Sequence, residues 1–205
     1  MSNFDRSKRT LRPIRDKILI MCETTTGVTY MNEYTKRIGV MSSVDVRSSR
    51  LSNGSLPGLI EEVLNLKRTC PHYNEIWVVY DYNNNSEFDV ATATACQNRL
   101  RCAFSNISLE YWFLLHCEDI HTPLDLKTIE NKLKTHLGFA YDTNPNTTIR
   151  VFNAIIQNLS NAEGRAVGIA QLYKRNHGQQ PSSWCSSTLV HQLTQRLRRW
   201  RDELL

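Results

Sequence analysis

The sequence predicts an α/β protein, with a parallel sheet flanked by helices followed by a mainly helical C-terminal part. Three observations carry this. Through the first half of the chain, short apolar or β-branched runs alternate with segments of helical spacing, the pattern of strands joined by helical crossovers. In the second half, apolar residues recur at helical spacing with no comparable strand run between them. With 205 residues, 40% hydrophobic and 22% charged, the composition is that of a globular chain, long enough to bury roughly 70% of the surface it exposes unfolded.

Taken in order, Lys17–Cys22 (KILIMC) is an apolar run that reads as a buried strand. Glu23 and a threonine-rich turn follow, then a helix over Tyr30–Arg37 and a weaker strand over Val40–Val46. Ser52–Gly58 (SNGSLPG) is a turn cluster. Leu59–Lys67 repeats leucines and Val63 at helical spacing. Glu75–Asp81 (EIWVVYD) is the clearest strand, with aromatic and β-branched residues and a polar stop at Asn83–Asn85. Phe88–Leu100 predicts an alanine-rich helix, Arg101–Ser105 a short strand and Leu109–His116 a strongly apolar helix. Further helices are expected over Leu124–Leu137, Thr147–Ala162, Ala166–Tyr173 and Ser187–Leu204. This divides the chain into a basic leader (1–16), an α/β core (17–122) and a helical elaboration (123–205).

No stretch approaches the ~20 apolar residues of a membrane span, and the charged N-terminus lacks the apolar core of a signal peptide. The expectation is a cytoplasmic protein that makes no membrane contact. Six cysteines without a CxxC pair read as reduced thiols. The net charge of +5 is concentrated at two places. Arg6, Lys8, Arg9, Arg12 and Arg15 precede the first strand and Lys17 opens it, and Arg196, Arg198, Arg199 and Arg201 lie near the end. Both clusters suit phosphate backbones or an acidic partner, and equally suit solvated surface. Glycine-rich phosphate motifs are absent, so the chain is not expected to bind ATP by itself.

In an open parallel sheet, ligands bind beyond the carboxyl ends of the strands. Glu23 follows the first strand, Asp81 closes the clearest one, and Glu110 comes just after the strand ending at Ser105. Three carboxylates on one rim repel one another unless a cation sits among them, and hard oxygen donors suit Mg²⁺ or Mn²⁺. Acidic residues at strand ends also cap helices, and Asp81 before a turn fits that role too. The run His116-Cys117-Glu118-Asp119-Ile120-His121 resembles a metal cluster but lacks the paired spacing of a structural zinc site.

The order of motifs resembles the RloB-like proteins, small relatives of the Toprim nucleases. The matching pieces are the basic leader, ILIMCE (Ile18–Glu23) with Tyr30 beyond it, IWVVYD (Ile76–Asp81), FDVATA (Phe88–Ala93), AFSNISLEYWFLLH (Ala103–His116) and PSSWCSSTLVHQL (Pro181–Leu193). The resemblance implies a Toprim-like Rossmannoid core with Glu23 as general acid–base residue. It implies that Glu23 together with Asp81 and Asn83, at the DxD position, holds a divalent metal and that Glu110 is a further catalytic carboxylate. His191 and Asn106 are secondary candidates. It also implies a nucleic-acid substrate, DNA or RNA (tRNA included), and an ABC-type ATPase partner in anti-phage defence.

The chain departs from the family pattern at defined positions. Glu23-Thr24-Thr25-Thr26-Gly27 lacks the glycine and second glutamate that usually follow the first, Asn83 replaces the second aspartate, and Ile107 stands where proline is usual. Asparagine can ligate through its carbonyl oxygen but brings no charge. Two expectations therefore stand side by side: a Mg²⁺-dependent nuclease subunit, or a catalytically weakened Toprim-fold subunit that docks on an ATPase or binds nucleic acid.

Overall fold

In a computed structural model that describes residues 17–50, 55–120, 122–177 and 180–205, the chain forms an α/β fold. Its elements, in chain order, are β1 (Lys17–Cys22), α1 (Thr25–Ile38), β2 (Val44–Ser48), α2 (Leu56–Thr69), β3 (Tyr73–Asp81), α3 (Phe88–Gln97), β4 (Arg101–Asn106) and α4 (Leu109–Leu115). Then come α5 (Leu126–Leu137), α6 (Pro145–Ile155), α7 (Leu159–His177), β5 (Ser187–Thr188) and α8 (Val190–Glu203).

The five strands lie in the order β2-β1-β3-β4-β5. β1 through β4 are parallel, and β5 runs antiparallel at the edge against Ser105 and Asn106. The chain moves from β1 outward to β2, then crosses back over β1 to β3 and on to β4. The direction of winding therefore reverses between β1 and β3, and a crevice opens at the carboxyl ends of those two strands.

Why β1 is apolar from Ile18 onward follows from its position between two neighbours, with both faces covered. Ile18, Ile20 and Cys22 face one core, shared with Tyr30, Trp112, Leu114, Phe152 and Leu193 from α1, α4, α6 and α8. Leu19 and Met21 face the other, shared with Leu59, Val63, Phe88 and Ala95 from α2 and α3. β3 repeats the alternation, with Trp77 and Val79 on the first side and Ile76, Val78 and Tyr80 on the second. The apolar run Tyr111–Leu115 is core: every residue of α4 is buried, and Trp112 Nε1 donates to the Tyr30 hydroxyl at 2.8 Å.

Several elements differ from their sequence expectation. α1 begins five residues before Tyr30, because the Thr24 hydroxyl accepts the Gly27 amide at 3.1 Å and caps the helix. α2 starts inside the expected turn, at Leu56 with Pro57 in its first turn, capped by the Ser55 hydroxyl. The break between the expected helices 147–162 and 166–173 falls earlier, in a single 3₁₀ turn at Ile156–Asn158, and α7 then runs unbroken through Gly164. Ser187 and Thr188 form a strand rather than the first residues of a helix.

Of the four basic residues near the C-terminus, all but the exposed Arg199 are engaged with carboxylates. Arg196 pairs with Glu75 and Glu203, Arg198 with Glu163 at 2.5 Å, and Arg201 with Asp202. Among the described residues, no helix is long and apolar enough to cross a membrane. All six cysteines are free.

Candidate active site at the carboxyl rim of the sheet

The crevice between the ends of β1 and β3 is occupied by carboxylates because main-chain pairing leaves them no other place. The Glu23 amide donates to Val79 O at 2.9 Å, continuing the β1–β3 ladder one residue past the strand. Its carboxylate turns back to accept the Asp81 amide at 3.0 Å. Asp81 ends β3, beside Ser105 of β4, with the Leu109 amide at the start of α4 facing its carboxyl group. Glu110, in the first turn of α4, is buried, and its Oε1 accepts the Tyr141 hydroxyl.

These residues line one open cavity of about 490 Å³, together with Asn83, Ser108, Thr24–Thr26 and, from the helical part, Glu130 and Thr143. Burial pushes the Asp81 carboxyl well above the usual carboxylate range, and the charges of Glu110 and Glu23 push it further in the same direction. Glu23 is also raised, by burial, against the opposing effect of the Asp81 amide. The site is thus short of positive charge: it favours uptake of a proton, or of a cation that would compensate the same repulsion.

The donor set consists of hard oxygens, as Mg²⁺ and Mn²⁺ require. Among the described residues, no group of three or more His, Cys, Asp or Glu side chains could hold an ion directly. Mg²⁺ is ordinarily held by one or two carboxylates with several retained waters, so the arrangement fits an ion bound in that manner. Asn83 contributes its position rather than charge. It sits at φ 38°, in the left-handed region that asparagine tolerates, with its amide donated to Ile107 O at 3.0 Å. A cis peptide bond joins Asn106 to Ile107.

Model matching by family identifies residues 18–197 with the RloB-like proteins. The chain belongs to the RloB-like protein family. No match was found among curated proteins or among solved structures. In this RloB-like protein the motif segments named from sequence lie side by side in the sheet. Ile18–Glu23 runs along β1, Ile76–Asp81 along β3, Ala103–His116 along β4 into α4, and Pro181–Leu193 through β5 into α8.

The remaining sequence candidates fall elsewhere. Asn106 is buried, and its Nδ2 donates to Pro181 O and Ser182 O at 3.1 and 3.0 Å, tying the segment before β5 to β4. His191 is buried in α8 with Nδ1 bonded to Thr188 O, and it does not line the cavity. Arg6, Lys8, Arg9, Arg12 and Arg15 lie outside the described residues, as does His121. In the His116–Asp119 run, burial pushes His116 down to about 4. Glu118 pairs with Lys132 and His136, and Asp119 with Arg165. Sequence inspection missed Ser108, Tyr141 and Glu130. Ser108 carries a local signal, two residues before Glu110, whereas Tyr141 and Glu130 arrive only by tertiary packing.

Proposed function

We propose that this chain is a Mg²⁺- or Mn²⁺-dependent nuclease subunit with a Toprim-like site that cleaves nucleic-acid phosphodiesters. The observation that carries the proposal is the meeting of Glu23, Asp81 and Glu110 in one cavity at the crevice where the winding of the sheet reverses. Asp81 and Asn83 would hold the cation, with Glu110 kept in place by Tyr141. A bound cation would polarise a phosphoryl oxygen and activate water for attack. Glu23, whose carboxyl is raised by burial, is suited to orient that water and take its proton. With Arg196 and Arg198 engaged in ion pairs, phosphate contacts fall to the basic leader, Arg6, Lys8, Arg9, Arg12 and Arg15. An ABC-type ATPase is the expected partner, in anti-phage defence.

Glu23→Gln or Asp81→Ala is expected to abolish Mn²⁺-dependent cleavage of DNA or RNA while circular dichroism shows an intact fold. Wild-type cleavage by both variants refutes the site. A weakened Toprim-fold subunit acting by docking or nucleic-acid binding is the second reading. It is favoured by the uncharged Asn83 and by the lack, among the described residues, of a direct three-member ligand group. Mn²⁺ uptake without cleavage supports it.

A further inference from the structure

The cavity has a second wall that is not acidic. Ser108 stands at the N-cap position of α4, with extended dihedrals of φ −150° and ψ 166°. A serine there ordinarily accepts an amide of the following turn through its hydroxyl, but the Ser108 side chain makes no such bond. The Tyr111 amide, which such a cap would accept, goes to the Ser108 carbonyl at 3.1 Å instead. The Ser108 hydroxyl is left buried without any hydrogen-bond partner in a residue only 7% exposed, although that residue lines the cavity beside Asp81 and Glu110. Buried hydroxyls are costly to leave unpaired and ordinarily find a partner.

Thr24–Thr26, at the start of α1, line the same cavity. The Thr24 hydroxyl is occupied by the Gly27 amide. The amides of Thr25 and Thr26 have no acceptor within the helix, being in its first turn, and they stand at its positive end. Gly27 holds that turn close to the sheet: a Cβ at this position would lie 3.3 Å from the Cys22 Cβ. The rim therefore presents carboxylates from β1, β3 and α4 together with unmatched donors from Ser108 and α1.

We infer that Ser108 and the first-turn amides of α1 form the seat of a phosphoryl group, with the Ser108 hydroxyl donating to one of its non-bridging oxygens. This rests on the cation site proposed above, since an anion beside Glu23, Asp81 and Glu110 needs a cation to share. A phosphoryl group suits both walls: one oxygen faces the cation while others take the donors. Ser108 is then a positioning residue, and its missing capping bond is what keeps it available to ligand.

The test is binding of inorganic phosphate in the presence of Mn²⁺, by calorimetry, to wild type, Ser108→Ala and Ser108→Thr, with thermal unfolding of each in the absence of ligand. Ser108→Ala is expected to weaken phosphate binding about tenfold, as loss of one hydrogen bond to a charged acceptor does. Mn²⁺ affinity should be unchanged, and the Tm equal to wild type or higher, because no native bond is lost. Ser108→Thr, which keeps the hydroxyl, should restore phosphate binding. If Ser108→Ala lowers the Tm and binds phosphate as wild type does, the hydroxyl is a structural cap and the inference is overturned, while the cation site stands. If the wild type takes up no Mn²⁺, the cation site fails and this seat with it.

Discussion

Asparagine in place of Asp81 is expected to stabilise the metal-free protein at neutral pH and to leave it unchanged in acid. Below the ordinary carboxylate range, folded and unfolded chains both hold the proton, and the group contributes nothing to the pH dependence. As pH rises through that range the unfolded chain releases its proton, while burial and the neighbouring Glu110 and Glu23 make the folded protein retain it. The folded state then binds more protons, so stability falls with pH until the raised folded value is passed. One proton sets a limiting slope of about 1.4 kcal/mol per pH unit. Asp81→Asn removes this titration but keeps an acceptor for the Leu109 amide. Asp81→Ala also removes the acceptor, at a cost of about 1–3 kcal/mol for an unpaired buried amide. Urea unfolding from pH 4 to 8 should therefore show Asp81→Asn gaining on wild type as pH rises, with Asp81→Ala below Asp81→Asn throughout. Mg²⁺ at 100 times its Kd should raise wild-type stability by about 2.7 kcal/mol and act far less on Asp81→Asn. A wild-type minus Asp81→Asn difference that is flat with pH, or an Asp81→Asn protein less stable than wild type at pH 7, refutes the electrostatic account of the site.

Two further predictions concern the frame that holds the rim. Asn106→Ala leaves Pro181 O and Ser182 O without their donor and should destabilise by about 1–3 kcal/mol, a fall of about 2–4 °C in Tm per kcal/mol for a chain of this size. An unchanged melting curve would show that β5 is held without this tie. Arg198→Met strands the Glu163 carboxylate, which is 6% exposed and also accepts the Thr194 hydroxyl at 2.6 Å, and should cost about 3–5 kcal/mol. Replacing Glu163 with leucine in the same protein should recover much of that loss. A double variant no better than Arg198→Met alone contradicts the explanation by an unpaired charge.

Much of the site could be read before the fold was known. β1 and β3 announce themselves because strands covered on both faces must be apolar along their length, and a carboxylate at the end of such a run stands out. Glu23 and Asp81 were found that way. The start of α1 was obscured by three threonines, which are poor helix formers but serve well at a cap. β5 was invisible because two residues hold no period. It exists by pairing with Ser105 and Asn106, more than 80 positions earlier, and through the Ser105–Thr188 hydroxyl contact at 2.9 Å.

Sequence by itself determined the α/β class, the family, and the identity of the acidic residues at the strand ends, since these follow from local polarity and ordered motifs. Tertiary structure decided which of them meet. The strand order sets β1 beside β3, so that Glu23 and Asp81 share a rim, and α4 brings Glu110 to them. It also decided that His191, in a late motif, lies in the core, while Glu130, in no motif, reaches the cavity and Tyr141 reaches Glu110. Only the three-dimensional arrangement sets the unpaired Ser108 hydroxyl in one cavity with Asp81 and Glu110. Local sequence specifies what a residue can bond, and the fold specifies what is left for it to bond.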